Sequence, residues 1–219
     1  MDDLELLARW KDGDNAAGDA LVRQHYVSVR RFFEARLSRV ADDLTQRTFL
    51  ACLEGVAECS PEVGFRPYLF GIARNMMLMQ LRQTQQRGAA QPRVNRAFSP
   101  ETRTSLTGLF ARREEHHYVL RALAALPMDL QVAMQLVYWE GLNAREVGQV
   151  LGISGSAVRS RLSKARAEMA SHFERLRLPH PLSASLKNEH ERWTQEVAVT
   201  MDASAVSAPK RLEGPEPKG

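Results

Sequence analysis

Gly141 to Arg166 read GLNAREVGQVLGISGSAVRSRLSKAR, and this stretch decides the fold. It spells a helix, a tight glycine turn and a second helix with a small, basic exposed face. Asn143 is placed to cap the first helix, with Glu146 three residues on as its partner in a capping box. Val147, Val150 and Leu151 supply that helix with an apolar face. Gly152 falls where the helix must stop and the chain turn sharply, which favours a residue that tolerates positive φ. Ser154 or Ser156 can cap the second helix. Val158, Leu162, Ala165 and Met169 recur at helical spacing and should point inward. Ser156, Arg159, Ser160, Ser163, Lys164 and Arg166 are left mostly outside. A helix entering the DNA major groove needs such a face: short polar groups let the backbone approach, and guanidinium groups reach guanine edges and phosphates. A solvated basic face is common by itself. The glycine turn, the two caps and the inward triad together point to a helix-turn-helix.

Outward from this motif, nearly every apolar stretch has helical period, so the expected fold class is all-α. Leu4, Leu7 and Ala8 start a short helix, broken by KDGDN at Lys11 to Asn15, with Asn15 a candidate cap for the next. Ala20, Leu21, Tyr26, Val29, Phe32, Phe33 and Leu37 make a long helix with a thick apolar face. After a polar break at Ser38 to Asp42, with Asp42 a candidate cap, Leu44, Thr48, Phe49, Cys52 and Leu53 should face inward. Ser60 to Gly64 form a loop. Pro67 fits the first turn of a helix from about Arg66 to Arg82, where its missing N–H costs nothing. Gln83 to Ser105 is rich in Gln, Arg, Ala, Gly and Pro, and reads as a flexible basic linker. Helical pattern resumes near Leu106 and continues through Val119, Leu120, Leu123 and Leu126. Pro127 then opens a helix that runs through Trp139 and closes at Gly141. The expected units are residues 1–84, a linker over 85–110, a helix-turn-helix unit over 111–177 and a mostly disordered tail over 178–219. Within the tail, Leu186 to Val199 can form one short helix.

The chain has 219 residues, 44% of them hydrophobic, and a formal net charge of +4. The distribution of charge says more than its sum. Seven arginines stand between Arg82 and Arg113 against Glu101 alone, while acidic residues gather near the N-terminus and at Asp42 and Asp43. Basic and acidic zones separated in this way suit nucleic acid on one side and a basic protein surface on another. Cys52 and Cys59 lack zinc or redox spacing and should be buried thiols in a reducing compartment. His116 and His117 are adjacent, so they diverge on a helix and make a poor metal pair. No apolar run approaches membrane-spanning length and the N-terminus is acidic, so the chain reads as cytoplasmic, without membrane insertion. There is no glycine-rich phosphate loop, nucleophile elbow or metal-ligand spacing. Neither a catalytic residue, a metal, a cofactor nor a small-molecule substrate is expected.

Two blocks on either side of the linker belong together. The first unit carries ADDLTQRTFL at Ala41 to Leu50 and FRPYLFGIARNMMLMQLRQ at Phe65 to Gln83. The second carries Leu126 and Pro127, then YWEGLNAREVGQVLGIS and SAVRSRLSKAR. In this order and spacing the chain resembles bacterial RNA polymerase sigma factors of the extracytoplasmic-function group, over roughly residues 4 to 176. The resemblance implies a first domain for the polymerase clamp and the −10 promoter element, and a second for the polymerase flap and the −35 element. It implies a linker that threads near the active-site channel, and a dedicated anti-sigma partner. Asp42, Asp43 and Gln46 match the family's D-L-x-Q motif and would be the clamp-binding face. The block from Phe65 resembles the promoter-melting region, which needs cations for the single-strand backbone and platforms for unstacked bases. Arg66, Arg74, Asn75 and Arg82 would serve there, with Phe65 and Tyr68 mostly structural. The loop beginning at Ser60 matches the one that captures a flipped base. In the recognition helix, Arg159 and Ser160 would approach base edges, flanked by Ser156, Ser163 and Arg166, with Arg161 and Lys164 better placed for phosphates. The chain departs from the pattern at Met79, where the family often has Asp, at Gln131, where Arg is common, and at Ala144, where an aromatic is common. An operator-binding regulator would share the helix-turn-helix but leave IARN and the Asp42–Asp43 face without a role.

Overall fold

A computed structural model describes residues 2–60, 62–86 and 114–175. The described residues are helical, with no strand among them. The first half contains α1 (Asp3–Lys11), α2 (Asn15–Leu37), α3 (Ala41–Gly55) and α4 (Phe65–Gln86). The second contains α5 (Glu114–Ala125), α6 (Met128–Tyr138), α7 (Ala144–Leu151) and α8 (Gly155–Arg175). Short 3-10 turns, Ser38–Val40 and Val56–Glu58, bracket α3. Most of the linker and all of the C-terminal tail lie outside the described residues.

Local chemistry explains where the helices begin. Asp14 caps α2, accepting hydrogen bonds from the backbone N–H groups of Ala16 and Ala17. The cap is therefore one residue earlier than the expected Asn15; both residue types favour the position, and only the backbone geometry separates them. Asp42 does not cap α3. That helix starts at Ala41 out of the 3-10 turn, which places Asp42 and Asp43 in its first turn, where a carboxylate suits the positive end of the helix dipole. Pro67 sits in the first turn of α4, as expected.

The inward faces follow helical spacing, with two corrections. On α1 the core residues are Leu6, Leu7 and Trp10, while Leu4 is exposed. On α3, Leu53 faces solvent, 48% exposed, and the buried set is Ala41, Leu44, Thr45, Thr48, Phe49 and Cys52. At 100° per residue Leu53 lies about 180° from Leu44. Its neighbour Cys52 is the buried residue. Phe32, Phe33, Phe65, Phe70, Leu21, Leu44, Leu69 and Met77 fill the first half. Leu130, Met134, Leu136, Val147, Val158, Met169 and Phe173 fill the second. The two sets join in one apolar cluster, with α4 packed on α7 across the boundary.

Both cysteines are free and buried. Burial pushes the Cys52 thiol up to about 12. Burial also raises Cys59, against the pull of the nearby Lys11 ammonium. Both are structural thiols, as the sequence implies.

Candidate nucleic-acid interface

The helix-turn-helix forms as its sequence dictates. The Asn143 side chain accepts from the N–H groups of Arg145 and Glu146 at 2.9 and 3.1 Å, and the Glu146 carboxylate accepts from the Asn143 N–H at 2.7 Å. Gly152 ends α7 at φ 69°. Ser154 supplies the cap of α8, accepting from the Ala157 N–H at 3.2 Å, with the Ser156 hydroxyl 2.9 Å away. Val158, Leu162, Ala165, Met169 and Phe173 bury one face of α8. The opposite face presents Ser156, Arg159, Ser160, Ser163 and Lys164 to solvent. Two other cations are held to the side. Arg161 approaches Asp129 at 3.6 Å, and Arg166 donates to the Tyr138 hydroxyl at 3.1 Å. Gln131 is buried and donates to the carbonyls of Leu126 and Ala124 at 2.8 and 3.4 Å. It ties α6 to the end of α5 with neutral hydrogen bonds.

On α4 the candidate residues divide between faces. Asn75, Met79 and Arg82 lie within about 60° of one another round the helix, and all three are exposed. Arg66 lies nearly opposite them and donates to the Glu140 carbonyl of the second half. Arg74 lies between the two faces and is half-buried. Phe65 is fully buried against Trp10 and His25, with ring centroids 6.3 and 5.5 Å away, so its role is structural, as expected. Tyr68 is half-buried with its hydroxyl over Gly55, where a Cβ would come within 2.6 Å of it.

The loop before α4 is braced from a distance. The Lys11 ammonium donates to the carbonyls of Ala57 and Cys59 at 3.2 and 2.5 Å. Ser60 accepts through its side chain from the Glu62 N–H and through its carbonyl from Val63 and Gly64, and Gly64 turns the chain at φ 81°. Nothing in the local sequence marks Lys11 for this position, since its partners lie 46 and 48 residues away.

The α3 face is partly apolar. Asp42, Asp43 and Gln46 are exposed, and Leu50 and Leu53 lie on the same side within about 100°. Arg30 holds Asp42 at 2.7 Å, and Arg47 approaches Asp43 at 3.6 Å.

Between the halves lies a buried polar cluster. Arg31 makes a two-pronged pair with Glu140, at 3.1 Å from Nε and 2.8 Å from Nη2, and also donates to the Trp139 carbonyl at 3.2 Å. The Glu140 side chain has no solvent exposure; burial pushes its carboxyl up, against the pull of Arg31. Arg36 donates to the Gln135 side-chain oxygen, and the Gln135 amide donates to the Arg31 carbonyl at 3.4 Å. Burial pushes the Arg36 guanidinium down to about 9, so it stays protonated at neutral pH.

A capped helix-turn-helix joined to a four-helix unit with a polar and basic helix defines a two-part DNA-binding protein. Comparison with known proteins identifies its family. The model described as Sigma-70 region 2 matches residues 21–87, and that described as Sigma-70, region 4 matches residues 116–169. The ECF RNA polymerase sigma factor SigC of Mycobacterium tuberculosis is 30% identical over 164 residues, covering 74% of this chain and 86% of that one. SigM of the same species is 29% identical over 170 residues, covering 77% and 83%. The probable RNA polymerase sigma factor RfaY of Xanthomonas campestris is 33% identical over 137 residues, 61% of this chain but 34% of that longer one. A solved structure of CnrH in complex with the cytosolic domain of CnrY shares the fold, with a TM-score of 0.57 and 24% identity over 78% of this chain and 97% of that one. This chain belongs to the ECF RNA polymerase sigma factors, and with RNA polymerase it directs promoter-specific transcription initiation.

Proposed function

We propose that residues 1–84 bind the polymerase clamp and the −10 element, that 85–110 connect, and that 111–177 bind the −35 element. The capped, solvent-facing recognition helix carries this reading, with Ser156, Arg159, Ser160, Ser163 and Lys164 presented together. Arg161 and Arg166 sit at its sides, within reach of flanking phosphates. On α4, Asn75 and Arg82 form the −10 stripe with Arg74 at its edge, and Ser60 lies in the loop that precedes it. Asp42, Asp43 and Gln46 meet the polymerase, and exposed Leu50 and Leu53 extend that face, since an apolar patch rimmed by charge marks a protein contact. The chain performs no catalytic step of its own and works in the cytoplasm, where the polymerase is; no described helix is long and apolar enough to cross a membrane. The solved relative is bound to the cytosolic domain of CnrY, which supports an anti-sigma partner here too.

Adding the full chain to sigma-free core polymerase on a promoter library tests the reading. Specific starts that share upstream elements at fixed spacing support it; DNA binding without such starts overturns it. Within the recognition helix, Arg159→Ala should lose base discrimination by about 1–3 kcal/mol at one position. Lys164→Ala should weaken binding evenly across sequences. A promoter-mutant panel with the same profile for both would remove the distinction. Lys11→Met should slow promoter opening about tenfold by releasing the loop before α4, because hydrogen bonds from a charged donor are the stronger ones. Permanganate reactivity of the −10 bases measures it, and unchanged opening with a folded variant would show that the loop holds itself.

A further inference from the structure

The outer side of the second half carries a groove between α5 and α8. Ala122, Ala125, Leu126 and Ala167 line it, and Lys164 and Arg175 mark its two ends. It encloses about 430 Å³, within the size range of binding clefts. From Lys164 to Arg175 it runs about 16 Å along α8. The small side chains on both helices let a third helix approach to an ordinary packing distance of about 8–10 Å. Its ends are cationic. Lys164 and Arg175 are exposed, and the acid in the lining is Glu168, 3.8 Å from Lys164. Burial, then the charges of Arg175 and Arg121, hold the His172 imidazole below its ordinary value, which places a further cation, Arg121, toward the Arg175 end.

The chain itself leaves from one end of this groove. Arg175 lines it and is the last residue described, and residues 176–219 follow in the sequence. Pro179 and Pro181 stop α8 from continuing past them. Residues 176–185 reach at most about 35 Å, more than a return beside α8 needs. Beyond them, Leu186, Trp193 and Val197 stand at spacings of seven and four, so a helix over 186–199 carries all three on one face. Glu189 and Glu196, also seven apart, lie together on one flank of that face. Such a helix is about 21 Å long, enough to cover the groove. Running back from the Arg175 end, it brings Glu189 toward Arg175 and Arg121, and Glu196 toward Lys164. Apolar face to small-residue groove and acid to cation agree on one direction of packing.

We propose that residues 186–199 pack as a helix into the α5–α8 groove of their own chain, with Leu186, Trp193 and Val197 inward and Glu196 beside Lys164. The docked segment draws Lys164 away from DNA phosphates, so it tempers −35 binding while Arg159, which does not line the groove, stays uncovered. That consequence rests on the reading of α8 as the DNA-facing helix; the docking itself does not.

The test reads access to the groove in the full chain. Ala167→Cys puts a thiol on its wall, at a position that is exposed in the described residues, while the native thiols are buried and react slowly. This thiol should react with an uncharged maleimide about tenfold more slowly than Ser163→Cys, which faces solvent on the recognition side. Adding Trp193→Ser should bring Ala167→Cys up to the Ser163→Cys rate. Equal rates at the two positions in the otherwise unsubstituted chain overturn the docking. So does a slow Ala167→Cys rate that Trp193→Ser leaves unchanged. Slowing that grows with protein concentration assigns the groove to a second copy and overturns it as well. A duplex titration tests the contact with Lys164. Trp193→Ser and Glu196→Lys should each raise affinity for a −35 duplex about threefold at low salt, where charge is least screened. Unchanged affinity in both overturns the Glu196–Lys164 contact. If the unsubstituted chain and every variant fail to bind a −35 duplex, the promoter reading falls instead, and the maleimide rates still decide the docking.

Discussion

Gly148→Ala is expected to destabilise the helix-turn-helix by about 2 kcal/mol, although alanine is the better helix former by about 1 kcal/mol in an open position. The turn closes onto Gly148. A Cβ there would sit 2.6 Å from the Ile153 carbonyl oxygen and 3.4 Å from the Gly155 nitrogen, and both atoms are backbone. The Gly148 carbonyl also accepts from the N–H groups of Gly152 and Ile153, so the turn cannot widen without losing those bonds. Either α7 and α8 separate or the bonds break. Thermal unfolding should fall by about 4–8 °C, and −35 duplex binding should drop by more than the stability loss explains, because the recognition helix shifts. Gly152→Ala is the useful contrast. No atom crowds a Cβ there, and its cost is the left-handed conformation alone, about 1–2 kcal/mol. A Gly148→Ala variant as stable as the parent would show that the turn has slack.

The contrast between those glycines marks what sequence can show. Gly152 was legible because a helix stop between two apolar periods asks for positive φ, and the Asn143–Glu146 box because its two halves are three residues apart. Gly148 was not, because its reason is a backbone crossing that exists only once the helices have packed. Leu53 was legible and missed: nine residues on from Leu44 it falls on the opposite side of α3, where it is exposed. The division on α4 was legible and missed. Arg66 and Asn75 are nine residues apart, two and a half helical turns, which must put them on opposite sides. Arg31 and Glu140 are 109 residues apart, as are no local signals, and only the fold joins them. Sequence marked the two surfaces proposed to meet DNA and was silent on the contact between the halves.

Phe32→Ala should be the most damaging change in the first half, at about 3–5 kcal/mol. Phe32 is fully buried, with the rings of Phe33 and Phe70 edge-on at 5.5 and 5.7 Å. Truncation leaves a cavity between α2 and α4, the two helices that carry Arg31 and Arg66. It also removes the ring beneath the Arg36 guanidinium, 5.6 Å from its centroid. Arg36 is buried and would then lie over a void, keeping its bonds to Gln135 and the Phe32 carbonyl. The loss therefore combines lost apolar transfer, the cavity and a cation deprived of its aromatic face. Phe32→Leu fills most of the space without the ring face, and should cost about 1–2 kcal/mol. Urea unfolding of the full chain measures both. Because Phe32 and Phe70 touch, removing both rings should cost less than the sum of the single losses, since the second truncation enlarges a cavity already present. Strict additivity would mean that the core closes around each gap independently. A Phe32→Ala loss under about 1 kcal/mol would mean that α2 slides to fill the space, and Arg31 would then leave Glu140 as it moved.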